Sequence, residues 1–423
     1  MQGEVSTSSR LLAPRVLAIT VALIVYSGLF SNLNTVRLLS AGTRSMGGDP
    51  MVTAWQYGRE GVTVLLVIYL VAGVVRESAK STRRRTVPLY IAVVLIFFSA
   101  QIVRVLLDAN LPDYYAILGL RILYIGAILI AVISYDSEQR ASIISMLAVL
   151  LVPMLVVEAL MAVQQLLFAP AVVGRTFLGS RPWGTYSSPN SLGMAAIGIM
   201  LILAISSIRG RSFWIILALG VCITTGSRNA ILSALLIVGG LVVARWRHRL
   251  LALPLALVAL IGAFFVSSSA QVSGRQIAGE GRFEAWTGIL RQLDNPGEVI
   301  FGLGLGTGTN AATVATGSLA TGPATDSTLV MVALSLGAIG LVLLVCALGA
   351  IVRRVSYDRR FALVPALLLC SATFNVPEIS PLNVLAAIAI GVSWEVPCNR
   401  ANAGTIAPTP NGTSLSIGRG RVR

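Results

Sequence analysis

SIISMLAVLLVPMLVVEALMAV, residues 142 to 163, carries a single charged residue, Glu158, in a run long enough to cross a bilayer as one helix. Comparable apolar runs occupy 16 to 33, 61 to 75, 87 to 103, 115 to 134, 191 to 208, 212 to 226, 229 to 244, 250 to 267, 327 to 350, 361 to 373 and 379 to 394. None shows the strict alternation of barrel strands. Lipid offers no hydrogen bonds to a backbone, so runs of this kind cross it as helices that satisfy their own polar groups. The expected fold is an all-α polytopic membrane helical bundle of about 12 transmembrane helices of roughly 20 residues each.

Composition points the same way. The 423 residues are 56% hydrophobic and 12% charged, with mean hydropathy +0.83, too little polar surface to clothe a soluble body of this size. A net charge of +15 raises the question of nucleic acid, but the basic residues fall in alternate loops. Arg10 and Arg15, then Arg76, Lys80, Arg83, Arg84 and Arg85, then Arg209 and Arg211, Arg245, Arg247 and Arg249, and Arg353, Arg354, Arg359 and Arg360 form the positive-inside pattern. Both termini are therefore expected in the cytoplasm, with no nucleic-acid partner. The loop around Asp136, Glu138 and Arg140 dissents from that rule. The first span has no small-residue cleavage site and reads as a retained helix. Residues 1 to 394 form the membrane domain, and 395 to 423, rich in Asn, Gly, Thr, Pro and Arg, form a disordered cytoplasmic tail.

The external segments are then 34 to 60, 104 to 114, 164 to 190, a tight turn at Ser227 and Arg228, 268 to 326 and 374 to 378. A loop as long as 268 to 326 is, in a compact architecture, usually either functional or disordered. Within it, GRFEAWTGILRQL puts Phe283, Trp286, Ile289, Leu290 and Leu293 on one helical face, suited to lying on the bundle at the membrane surface. FGLGLGTGTN at 301 to 310 looks like a phosphate-binding glycine loop but lacks the P-loop lysine and its strand-turn-helix setting. The lone histidine, His248, lies in a cytoplasmic turn, and no external serine has a histidine partner. Cys222, Cys346, Cys370 and Cys398 have neither metal-ligand spacing nor a disulfide framework, and no His/Cys/carboxylate cluster suggests a metal or other cofactor.

What the external side does carry is arginine: Arg175 and Arg181, Arg228, and Arg275, Arg282 and Arg291. A guanidinium near membrane depth is costly and normally faces a polar cavity with a partner. Its planar fork binds phosphate through two parallel hydrogen bonds and stays charged. Each of these arginines alone reads equally as a headgroup contact or as an ion pair with Glu280, Glu284 or Glu378. Arg228, pinned between two apolar spans in TGSRNA, is the strongest functional candidate.

RPWGTYSSPNSLG at 181 to 193, TTGSRNAIL at 224 to 232, GRFEAW at 281 to 286, FGLGLGTG at 301 to 308 and DSTLVMVALSLGAIGL at 326 to 341 follow one another in an order that resembles the O-antigen ligase and polysaccharide polymerase superfamily. The resemblance covers residues 175 to 345. It implies a bacterial inner-membrane protein with a large periplasmic loop, here 268 to 326. Such a protein transfers glycan from an undecaprenyl-pyrophosphate carrier to an acceptor glycan, with neither nucleotide-sugar donor nor obligatory metal. Other polysaccharide-assembly proteins are possible partners.

The resemblance also implies roles. Arg228 matches the arginine of the SR motif and Arg181 that of the preceding periplasmic loop, with Arg175 as alternate. Both would neutralise the departing pyrophosphate, charge placed where it develops in the transition state. Arg282 matches an arginine that clamps phosphate or sugar, and Trp286 stands beside it in the same motif as a substrate contact. Pro189 and Asn190 shape the entry to the sixth span, Asn190 either as a helix cap or as a substrate contact. Where ligases commonly carry a periplasmic histidine, this chain has Asp326, which is either the base that takes the acceptor's proton or the cap of the helix that follows. The missing histidine favours a polymerase, with a ligase as the alternative. A secondary transporter, for which intramembrane Glu158 is the best argument, and a noncatalytic scaffold are the competing classes.

Asp326→Asn separates the two roles of that residue. Loss of a base lowers turnover by about 100-fold or more, whereas Asn is a good cap and leaves polymer synthesis from lipid-linked repeat units near normal.

Overall fold

The structure is a computed structural model. It describes residues 14–26, parts of 58–69, 89–107, 114–168, 175–176, 179–186, 189–246, 286–307 apart from 289 and 292, 327–373, 376 and 381–395. The spans expected at 250 to 267 and over most of 61 to 75 lie outside the described residues. So do Arg282, Asp326, Phe283, Ile289, His248, Cys398 and, apart from Glu395, the tail.

The described residues are almost all helical. In chain order the helices are α1 (Pro14–Tyr26), α2 (Leu89–Leu107), α3 (Tyr114–Ser134), α4 (Ser137–Phe168), α5 (Pro189–Ile205), α6 (Arg211–Thr224), α7 (Arg228–Trp246), α8 (Pro296–Phe301), α9 (Thr328–Arg354), α10 (Tyr357–Thr373) and α11 (Leu382–Ser393). The exception is a two-residue antiparallel hairpin, β1 (Arg175–Thr176) with β2 (Gly179–Ser180). Three of the helices, Ser137–Phe168, Arg228–Arg245 and Thr328–Arg354, are long and apolar enough to cross a membrane.

The core is built around α5, in which every residue except Asn190 and Ser191 is buried. It is apolar all round, as a helix surrounded by other helices must be. It packs against α4, α6, α7, α10 and α11. Small residues set the closest approaches. A Cβ on Gly193 would lie 2.6 Å from Ala230 Cβ, and one on Gly391 would lie 2.8 Å from Val132. Small residues let helices approach closely enough for dispersion forces to hold them, the packing mode expected where lipid offers no hydrophobic drive.

The turn between α3 and α4 explains the loop that breaks the charge rule. Asp136 and Gln139 cap α4 reciprocally: Gln139 N donates to Asp136 Oδ1 (2.8 Å) and Asp136 N donates to Gln139 Oε1 (3.1 Å). Arg140 is buried and donates to the carbonyls of Tyr135 (2.8 Å), Trp394 (2.6 Å) and Ile133. This arginine ties the ends of α3 and α11 together.

The helix α9 is broken at Gly337 (φ 63°, ψ −158°). A break frees carbonyls in the preceding turn, and here Leu303 N and Gly304 N donate to Leu334 O (2.8 Å) and Ser335 O (3.0 Å). The stretch FGLGLGTG is thus a backbone patch on a broken helix. Arg104 of α2 donates to Gly302 O (3.2 Å) at the end of α8, placing a cation where that short helix is negative. Leu305 joins Ile102 and Val105 of α2 and Met331, Val332 and Leu336 of α9 in a buried cluster.

A Cβ on Gly337 would meet Ile300 O at 2.5 Å and Gly302 N at 2.6 Å, in a backbone region that side chains avoid. Gly349, in the same helix, has open space around it. Gly337→Ala should lower the thermal midpoint of the purified protein by several degrees, a loss of about 1–3 kcal/mol, while Gly349→Ala leaves it unchanged or raises it. Equal midpoints for the two variants would contradict the patch.

Candidate functional site

Three segments meet at one corner: the loop that follows β2, the start of α5, and the turn from α6 into α7. The turn is built by Thr225 and Gly226. Thr225 Oγ1 donates to Cys222 O (2.7 Å) and accepts from Ser227 N (3.2 Å), and Gly226 takes the left-handed φ of 61° that reverses the chain. Ile231 N donates to Ser227 O (2.9 Å), so α7 starts at once and Arg228 is its first residue, exposed at the corner. The contact between Gly193 and Ala230 holds the start of α5 against the start of α7.

Arg181 reaches into this corner. Its Nε donates to Thr225 O (2.9 Å), and its Nη2 donates to Asn190 Oδ1 (3.3 Å). The chain from Thr225 to Arg228 spans at most about 11 Å, so the Arg181 guanidinium lies close to the start of α7, whose first residue is Arg228. Burial pushes the half-buried Arg181 guanidinium below its usual pKa, yet a guanidinium keeps its charge at any working pH. The N-termini of α5 and α7 open at the same corner and add partial positive charge. A guanidinium at two helix N-termini, with a second arginine as the first residue of one of them, suits an anion.

Asn190 lies within the first turn of α5, because Pro189 already occupies a helical position, a place proline favours. Its carboxamide oxygen serves Arg181, so it is a partner of the arginine and not a helix cap. Arg175 stands in β1, opposite Ser180 across the hairpin that delivers Arg181. Trp286 is placed elsewhere: with Leu293 and Leu303 it packs against Val330 and Leu334 of α9, so the expected apolar face of the long loop does dock on the bundle at that point. Val376 N donates to Thr328 Oγ1 (3.0 Å), tying a second connecting segment to the start of α9.

The sequence reading did not anticipate how the loop is held. Gln165 Oε1 accepts from Trp183 N (2.8 Å) and Gly184 N (2.7 Å), and Gln165 Nε2 donates to Gly184 O (2.7 Å). Glu158 Oε2 accepts from Thr185 N (3.0 Å), and Glu158 Oε1 accepts from the Thr185 hydroxyl. Both side chains are buried on α4. The sequence showed Glu158 as a lone charge in an apolar run but put Gln165 in the external segment 164 to 190. The helix runs on to Phe168, and seven residues apart the two share one face.

A cavity of about 500 Å³ opens at the other end of α4, lined by Arg140, Ser356, Asp358, Arg359 and Glu395 among others. Arg140 is committed to carbonyls there, and two carboxylates offset Arg359, so its chemistry suits an anion less well than the Arg181 corner does. Among the described residues no three His, Cys, Asp or Glu side chains stand together as metal ligands would. No protein-family model matches the chain, and no curated protein matches it.

Proposed function

We propose that this chain is a membrane glycan polymerase of the O-antigen ligase and polymerase type. It adds undecaprenyl-pyrophosphate-linked oligosaccharide repeat units to a growing polysaccharide at the periplasmic face of a bacterial inner membrane. The observation that supports this best is the hydrogen bond from Arg181 to the Thr225 carbonyl, which joins the RPWGTY and TTGSRN motifs at one cationic corner. In the reaction, an acceptor hydroxyl attacks the anomeric carbon and its oxygen forms the new glycosidic bond. The bond to the lipid pyrophosphate breaks and its electron pair leaves with the phosphate. Arg181 and Arg228 neutralise that charge as it develops. In the base role, Asp326 takes the hydroxyl proton, and Arg282 clamps phosphate or sugar.

A ligase would use the same corner and differ in its acceptor. Secondary transport would draw on the break in α9, since interrupted helices line substrate sites in transporters. The carbonyls freed here are already taken by Leu303 and Gly304, which leaves fewer of them to coordinate an ion.

Arg228→Lys should be nearly as damaging as Arg228→Ala, because lysine keeps the charge and loses the two-pronged grip on pyrophosphate oxygens. The same two changes at Arg181 should behave alike, and each variant should lose about 100-fold or more of polymer formation from purified lipid-linked repeat units. Arg353→Ala, at the far end of α9, should leave synthesis intact. Wild-type activity in an Arg181→Ala/Arg228→Ala double variant would overturn the proposal.

A further inference from the structure

We infer that Glu158 and Gln165 are positioning residues for Arg181: a two-point grip from α4 that fixes the backbone of residues 183 to 185 and so aims the arginine at the α6–α7 turn. The inference rests on the role proposed above for Arg181.

The two groups stand two helical turns apart, about 10 Å along the axis, and between them they engage every residue from 183 to 185. Gln165 uses its amide on both sides, accepting two backbone N–H groups and donating to one carbonyl. Glu158 takes the backbone and the hydroxyl of the next residue. The grip has no slack. Gly184 adopts φ 59°, and a Cβ there would run into the Glu158 carboxylate and come within 2.9 Å of Leu192. Trp183, Thr185 and Tyr186 are buried behind it. Arg181 lies two residues from the first gripped N–H, with only Pro182 between, so its backbone position follows from the grip. Pro182 is itself buried and its ring fixes φ, which shortens the lever further.

A carboxylate 2% exposed within a long apolar helix is costly unless its oxygens are occupied. Here their described partners belong to the arginine loop. Glu158 has no described contact with Arg181, so it acts on geometry and does not serve as a counter-ion.

Two measurements test this. The first needs no substrate: in a cysteine-free version carrying Pro182→Cys, the rate of reaction with a maleimide in detergent should rise about fivefold or more when Gln165→Ala or Glu158→Ala is added, the opening that loss of one or two buried hydrogen bonds permits. The second is polymer formation. Glu158→Ala and Gln165→Ala should each reduce it about tenfold, and each should reduce the residual activity of Arg181→Ala by less than about twofold, the non-additivity expected of residues acting through one another.

Glu158→Gln should retain most activity, since its amide oxygen accepts from Thr185 N and its amide nitrogen donates to the hydroxyl. Unchanged labelling, losses fully additive with Arg181→Ala, or a Glu158→Gln variant as poor as Glu158→Ala would each overturn the inference. Increased labelling in a protein that makes no polymer from lipid-linked repeats would keep the grip and discard the glycan reading. Polymerase activity with unmoved labelling would do the reverse.

Discussion

A helix that ends or breaks inside an apolar protein leaves backbone groups that water does not reach, and each must find a partner within the chain. Much of this structure answers that requirement. Arg140 takes the carbonyls that end α3 and α11, Arg104 those that end α8, and the glycine-rich segment those freed by the break in α9. Gln165 and Glu158 satisfy the loop before α5, and Arg181 takes the Thr225 carbonyl where α6 ends. In each case a polar side chain or a loop backbone supplies what solvent cannot, from a few residues away at the end of α3 and from a distant part of the chain elsewhere.

The candidate site follows from that same economy of donors. Arg181 spends Nε on Thr225 and Nη2 on Asn190, which orients the guanidinium and leaves Nη1 without a described partner. Arg228 begins the next helix and is exposed at the same corner, whereas Arg181 is half-buried. Arg181 is oriented there by its two hydrogen bonds, and Arg228 presents an exposed side chain beside it. In the proposed reaction this division suits a lipid-linked donor that must enter and leave repeatedly as a chain grows.

Helix existence was legible in the sequence because lipid-compatible runs are long and nearly uncharged: the run from 115 to 134 is Tyr114–Ser134, and that from 229 to 244 is Arg228–Trp246. Ends were less legible. A hydropathy reading stops at the first polar residue, whereas α4 continues from its Asp136 cap to Phe168 and α10 takes in Asp358, Arg359 and Arg360. The break in α9 was hidden, since a glycine in an apolar helix is common and its partner strip lies more than thirty residues upstream in a segment with its own misleading motif. Arg181 and Arg228 stood out as external arginines and were paired through a resemblance, but the carbonyl that links their motifs is 44 residues from Arg181 and leaves no periodic trace. Glu158 was visible as a charge out of place, and only the folded chain pairs it with Thr185. Of the two roles open to Asn190, the cap fails because the helix starts one residue earlier, at a proline.

The most direct test of the account is the composition of lipid-linked glycans in cells that lack this gene. Mass spectrometry of the extracted carrier lipids should show single repeat units accumulating on undecaprenyl pyrophosphate with polymer absent. Full-length polymer held on the carrier would point to a ligase, and an unchanged distribution of chain lengths would contradict glycan transfer by this protein altogether.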